Sequence, residues 1–496
     1  MGQKKAGIAA AVCMMSISLM LGACKSGVPA DNAPKTAETG QGELKLVFWH
    51  YYNDAQKQYL DQLIKEYNET EGAKKHVVVE ASSQGSIGDL TNKIDLTLNG
   101  STNDVEMANM SLAYRDMIVG VVNKHGERLV DAGDYLSEDE LSWYNQAYLE
   151  EGYIGSKLYI LPLVKSTELL LMNQTRLDKF LDENPQYSID DMSDWDGLEQ
   201  MAPGYFEWTD NATPDVDGDG SPFIGLDNLA NYFIAMNHAM GSDIYHYDQD
   251  GAFVADLNED YIRRLFLNYY IPFTKGYYGA SGKYRSDDIK QSVLAGYVGS
   301  SSSVLYFPDE VADRDGNMVP VEIGVYKYPV LAGSRETAIQ QGAGVVVFNR
   351  SQEENRASMD FIRWLTVDRG FELASSMSYM PVDHEPMTQD QEKLIESPKV
   401  LKGIEVGLEQ SSTYQMVYGF DFENSYDVRN DLNDCFSSSL KEGRAEFLGY
   451  LDQGMSMEEA AKAMEYRKQF STFFDYFKPF CRITTFFLTI CFSQAH

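Results

Sequence analysis

Within residues 43–99 the period of the apolar side chains switches back and forth, and this constrains the fold more than any other feature of the chain. In ELKLVFWH, Leu44, Leu46 and Phe48 alternate with polar neighbours, the period of a half-buried strand. The following DAQKQYLDQLIKEYN sets Gln56, Tyr59, Leu63 and Tyr67 three or four residues apart, the period of an amphipathic helix. His76 to Ala81 forms a second apolar run, and between Gly88 and Asn99 the residues Leu90, Ile94 and Leu98 recur every four. Strand, helix, strand, helix predicts an α/β fold with a parallel sheet covered by helices. Such sheets take ligands outside the carboxyl ends of their strands, so the residues just after each strand are the informative ones.

The amino end is of a different kind. Lys4 and Lys5 precede an apolar run from Ala6 to Leu19 that is shorter than the ~20 residues a spanning helix needs. The run ends in Leu21-Gly22-Ala23-Cys24, which resembles a bacterial lipobox: residues 1–23 would be a signal peptide and Cys24 the lipid attachment point. The alternative is a plain secretory leader with an incidental cysteine. After Cys24, the stretch to residue 43 holds almost no large apolar side chain and reads as a flexible linker. The expectation is a protein anchored by lipid on the extracytoplasmic side of the cell membrane.

The 473 of the 496 residues that follow the cut suffice for two or three domains. A formal charge of −34, more negative still once Lys4 and Lys5 leave, repels phosphate backbones, so no nucleic acid partner is expected. Beyond Cys24, only Cys435, Cys481 and Cys491 remain, and three cysteines define no disulfide framework. The seven histidines are scattered, and no HExxH, GxSxG or phosphate-cradling glycine loop occurs. No catalytic residues and no cofactor are expected.

Two segments stand apart. TPDVDGDGSP, residues 213–222, puts Asp215, Asp217 and Asp219 at the first, third and fifth positions of a calcium loop with Gly220 at the sixth, but Leu226 occupies the twelfth. A structural calcium is one expectation and a solvated Asp-Gly turn the other. The segment 479–496 is an atypical carboxyl-terminal tail whose apolar stretch, Ile483 to Phe492, is too short to span a bilayer.

Four segments carry a resemblance: LKLVFWHYYND at 44–54, GSIGDLTNKIDLTLNG at 85–100, GSKLYILPLVKSTELLLMNQT at 155–175, and GAGVVVFNRSQEENRASMDFIRWLTVDRGFELASSMSYMPV at 342–382. In this order, they resemble the sugar-binding group of extracellular solute-binding proteins of ABC importers, a group similar to maltose-binding and glycerol-3-phosphate-binding proteins. The resemblance implies a two-lobed periplasmic-binding-protein-like fold of type II, with the ligand enclosed between lobes joined by a hinge. Lobe one is expected over 44–163 with 325–355, and lobe two over 164–324 with 356–478. The expected crossings lie near Pro162 to Glu168, near Tyr326 to Leu331, and in the helix after Asn349. A sugar ligand, ABC permease subunits as partners and a monomeric state are implied.

Candidate ligand-binding residues follow from position and resemblance together. After the first strand stand Trp49, His50, Tyr51, Tyr52 and Asn53, rings and polar groups suited to a sugar's C–H faces and hydroxyls. His50, Tyr51 and Asn53 are nominated, and Trp49 is either a core or a cleft residue. Gln84 and Ser86 stand where a helix begins, and Ser86 alternatively caps it. MANMSLAYR resembles a strand end feeding the cleft and nominates Asn109 and Ser111. The resemblance adds Ser166 and Thr167 at the hinge, Tyr306 as an aromatic platform, Gly344 as a close backbone approach, and Tyr379 and Tyr418 as aromatic walls.

GLDNLANYF at 225–233 lacks the tryptophans that glycerol-3-phosphate relatives carry there, and Arg429 is the one basic residue nominated near the cleft. A neutral mono- or oligosaccharide is the expected ligand, with a solute such as glycerol-3-phosphate as the alternative. A surface glycoside-active enzyme would need a carboxylate pair flanking the cleft, and the nominated positions are amides, hydroxyls and rings.

Overall fold

The computed structural model describes residues 42–475 apart from 101–106, 214–217, 248–252, 256, 314–315, 421 and 423. From Leu44 onward the described chain belongs to one unit. Eleven strands build its two main sheets: β1 (Leu44–His50), β2 (Val77–Ser83), β3 (Met110–Ala113), β4 (Leu161–Pro162), β5 (Ser166–Asn173), β6 (Ile224–Leu226), β7 (Gly296–Ser300), β8 (Ile323–Tyr326), β9 (Thr337–Gln341), β10 (Gly344–Val347) and β11 (Gln415–Val417). The first sheet runs β2-β1-β3-β10-β4, and the second β11-β9-β5-β7-β6 with β8 also paired to β5.

The alternating pattern of the amino-terminal segment gives β1 parallel to β2 and to β3. The sheets as wholes are mixed, not purely parallel. β10 returns antiparallel to β3 and β4, and β7, β8 and β9 all run antiparallel to β5. β10 comes from chain that has visited the other lobe, so its direction is set by the return path, whereas β7, β8 and β9 follow β5 without leaving the second sheet.

In the helix Asp54–Glu69 the buried face is Leu60, Leu63, Ile64 and Tyr67, with Tyr59 turned outward. β5 is buried along all eight residues, as a central strand covered on both faces should be. Its alternation sends Leu170 and Met172 into the main core of the second lobe, and Leu169 and Leu171 into a smaller core beneath β7 and β8.

Residues 46–164 and 343–382 supply the core of the first lobe. The chain leaves the first sheet at Pro162 and enters the second at Ser166. It returns between Gln341 and Gly344, later than the expected Tyr326 to Leu331, because β8 and β9 both pair with β5. The helix Gln352–Arg363 and the helix Gly370–Ser376 stay on the first lobe, burying Phe361 and Leu373 in its core, and the turn Trp364–Asp368 between them buries Leu365 there as well. The third crossing therefore falls beyond Val382 and not in the helix after Asn349. At the return, Gly342 adopts φ +99°, and a Cβ there would stand 2.3 Å from the Val164 carbonyl oxygen. Only glycine lets the two hinge segments approach so closely.

Candidate ligand-binding cleft

The lobe-one wall rises where β1 and β3 end. Tyr51 and Tyr114 join their hydroxyls, and their rings stack with centroids 6.0 Å apart. Tyr52 lies 5.0 Å from Tyr51 and 6.5 Å from Tyr379, measured between centroids. Burial first, then the neighbouring phenols, pushes the Tyr51 and Tyr52 hydroxyls well above their ordinary values, so both stay neutral and able to donate.

The backbone is strained around this wall. Asp54, Ser378 and Asn424 are non-glycine residues with φ of 46°, 59° and 64°. Each adjoins a cleft segment: Asp54 follows Asn53, Ser378 precedes Tyr379, and Asn424 precedes Ser425, whose hydroxyl donates to the Asp116 carbonyl oxygen at 3.1 Å. Left-handed backbone at non-glycine residues costs about 1–3 kcal/mol each and gathers at functional sites.

Lobe two faces this wall with the turn after β7 and with a charged relay. The Tyr379 hydroxyl meets Ser302 across the cleft. Deeper, the Arg429 Nη2 donates to Asn231 Oδ1 at 2.7 Å, and Asn231 Nδ2 donates to Glu168 Oε1 at 2.6 Å. Burial raises the Glu168 carboxyl to about 7 against the pull of Asn231 and Arg429, and raises Asp227 to about 6 against the pull of Arg285. Asp116 of lobe one is raised by burial as well, with Arg429 opposing. Two carboxylates, Glu168 and Asp116, thus share the neighbourhood of the Arg429 guanidinium, while Asp227 is held by Arg285.

Of the nominated residues, Tyr51 and Tyr379 come together in the cleft on either side of Tyr52, and Tyr306 stands exposed at the end of the turn after β7. Tyr418 stands with the Arg115 guanidinium 5.4 Å from its ring centroid. His50 is fully buried against Tyr52, ring centroids 6.0 Å apart, and burial lowers it to about 4, so it is neutral. Asn53 spends its amide on the Tyr51 and Gly85 carbonyls at the cleft edge, and Gln84 spends its own on Ser82. Ser86 accepts from the Asp89 backbone at 3.1 Å, so it caps the helix Ile87–Leu98. Trp49 is core, 5.9 Å from Phe348.

Other nominees serve the scaffold. Asn109 accepts from the Val47 backbone and donates to Glu354, at the start of β3 and so at the rim opposite the cleft. Ser111 is fully buried within β3 and bonds the Leu112 carbonyl. Ser166 pairs with Gln341 across the hinge, and Thr167 bonds Ile339 and Gln410. A Cβ on Gly344 would stand 2.2 Å from the Ile160 side chain, so this glycine serves the approach of β4 and not a ligand.

The sequence reading passed over Tyr114, Asp116, Glu168, Asp227 and Asn231. Tyr114, Asp116 and Asp227 lie just beyond strand ends, where the carboxyl-end rule points; Glu168 was hidden inside an apolar strand. Carboxylates therefore do stand in the cleft, contrary to the expectation of amides, hydroxyls and rings alone.

Cys24, Asp215, Asp217 and the tail 479–496 lie outside the described residues. Asp219 accepts from Thr213 Oγ1 at 2.5 Å, and its backbone donates to Asp210 Oδ1 at 2.7 Å. Among the described residues no group of three or more His, Cys, Asp or Glu is placed to hold a metal ion, and no helix is long and apolar enough to cross a membrane.

Residues 62–392 match the family described as bacterial extracellular solute-binding protein. No curated protein matches the sequence. Among solved structures, the cyclic alpha-maltosyl-1,6-maltose binding protein from Arthrobacter globiformis is 16% identical with a TM-score of 0.60, covering 87% of this chain and 99% of its own. The GacH receptor of Streptomyces glaucescens, solved unliganded and with acarbose, is 14% identical with a TM-score of 0.59, at 88% and 99% coverage. UgpB from Mycobacterium tuberculosis, solved with glycerophosphocholine, is 15% identical with a TM-score of 0.59, at the same coverage. At such identities the likeness is one of fold, the two-lobed fold of these binding proteins.

Proposed function

We propose that this chain, which belongs to the bacterial extracellular solute-binding proteins, captures a neutral carbohydrate between its lobes and delivers it to the permease subunits of an ABC importer while anchored through Cys24. The observation that carries the choice of ligand is the company kept by Arg429. Its fork is committed to Asn231, and Glu168 and Asp116 are close enough for their charges to act. A phosphate entering here would meet carboxylates as well as the guanidinium, so its gain would be largely offset. Sugar hydroxyls suit the same groups, since each donates to a carboxylate and accepts from an amide or guanidinium. The tyrosine wall supplies faces for C–H patches.

A thermal-shift panel of neutral oligosaccharides and glycerophosphodiesters tests this. A saccharide at a hundred times its Kd should add about 2.7 kcal/mol of stability; a shift given only by a phosphodiester would overturn the sugar reading. The cleft carboxylates make one control necessary: the bound saccharide should be recovered uncleaved, and hydrolysis would favour the glycoside-active alternative. For the anchor, Cys24→Ala should release the protein from the membrane fraction, and unchanged retention would contradict lipid attachment.

A further inference from the structure

Away from the cleft, one hollow of the second lobe carries a charge opposite to that of the chain. Its volume is about 640 Å³, and it lies between the end of the helix Leu229–Ala239, the first turns of the helix Glu259–Lys275 and the turn at residues 331–335. Asn231, the partner of Arg429 in the cleft, stands near the start of the first of these helices. Ala239, which lines the hollow, ends that helix some two turns later, roughly 12 Å along the axis at 1.5 Å per residue. The hollow is therefore separate from the cleft.

The charged residues that line it are Asp260, Arg264 and Arg335. Asp260 Oδ1 is held by Arg263 Nη1 at 3.0 Å, so this carboxylate is already matched from outside the lining. Both lining arginines are exposed, and among the described residues neither pairs with a carboxylate. Arg335 is nevertheless positioned. Its backbone donates to the Ala239 carbonyl at 3.4 Å, its Nη1 donates to the neutral Gln415 Oε1 at 3.3 Å, and its Nη2 lies 3.5 Å from where a Cβ would stand on Gly241. The turn before it is closed by Ser334, whose backbone and hydroxyl both donate to the Leu331 carbonyl, at 3.0 and 2.8 Å. A chain of formal charge −34 has carboxylates to spare for its cations, yet here two guanidiniums border a cavity of ligand size with donors unused. Planar forks of this kind match the oxygens of phosphoryl and carboxylate groups.

We propose that this hollow binds a small dianion, phosphoryl or dicarboxylate, between Arg264 and Arg335. The inference does not depend on what the cleft holds. It is tested by calorimetric titration of the purified chain, at low ionic strength, with inorganic phosphate, pyrophosphate and succinate. At least one should bind at a single site, and whether it is a phosphate or succinate identifies the chemistry recognised. Raising the salt should weaken binding severalfold, because exposed guanidiniums are screened. The double variant Arg264→Gln, Arg335→Gln should bind at least tenfold more weakly with an unchanged melting temperature, since neither side chain is buried, and each single substitution should weaken binding about threefold. Arg429→Gln should bind the anion as wild type does. Failure of all three anions to bind, undiminished binding by the double variant, or binding lost in Arg429→Gln, which would put the anion in the cleft, would each overturn the inference.

Discussion

Glu168 carries a carboxyl into the interior with one amide and one guanidinium near it, and burial wins: its value rises from 4.5 to about 7. Between those limits the folded chain holds a proton that the unfolded chain has released, so this residue makes stability fall as pH climbs through that window. Glu168→Gln keeps an acceptor for Asn231 and removes the titration. The stability of the variant relative to wild type should therefore increase from pH 4.5 to 7, by up to roughly 3 kcal/mol at ~1.4 kcal/mol per unit, and level off above. Denaturant melts of both proteins across that range read the difference directly. A difference that does not change with pH would mean that Glu168 ionises as it does in water.

At the scale of elements, the turn that presents Tyr379 is the strained one. The helix Gly370–Ser376 ends with Ser378 in the left-handed region, at φ 59°, and the Tyr379 backbone folds back to the Ala374 carbonyl at 2.8 Å. Glycine is the residue most at ease there. Ser378→Gly should raise the melting stability of the unliganded protein by about 1 kcal/mol, and it should weaken sugar binding, because Tyr379 loses a fixed base. A lower stability would show that the serine side chain, not the strain, governs the turn.

Strand ends also explain what was legible in the sequence. The β1 wall could be read because period-2 alternation stops at a definite place and the aromatic residues follow at once. MANMSLAYR offered no such stop. β3 advances ~3.3 Å per residue, so choosing Asn109 in place of Tyr114 moves the nominated group by about 17 Å, from the cleft to the opposite rim. The hinge was harder still. β8 and β9 have the composition of any short strand, and which sheet they join is fixed by long-range pairing with β5 that no local pattern carries. Glu168 was invisible because a buried carboxylate in STELLLMN looks like a polar interruption of an apolar run until Asn231 is seen beside it.

Across the whole molecule, the hinge is built from groups buried on three separate segments. Lys165 pairs with Glu151, which also accepts from Gln340 Nε2 at 2.6 Å. Glu151 lies in the helix Gln146–Gly152 of lobe one, and the other two lie on crossing segments, so Glu151 ties the first two of the three crossings to lobe one. Tyr379 is too deeply set in the lobe-one core to separate binding from folding, since truncating it would open a cavity. Tyr51, half-buried and stacked on Tyr114 at the end of β1, is the better probe. The decisive measurement is calorimetric titration of wild type and Tyr51→Ala with the saccharide that gives the largest thermal shift. Loss of the ring and of the shared hydroxyl should weaken binding by about 1–3 kcal/mol, with the unliganded protein still folded; undiminished affinity in a folded variant would place the ligand somewhere other than between these lobes.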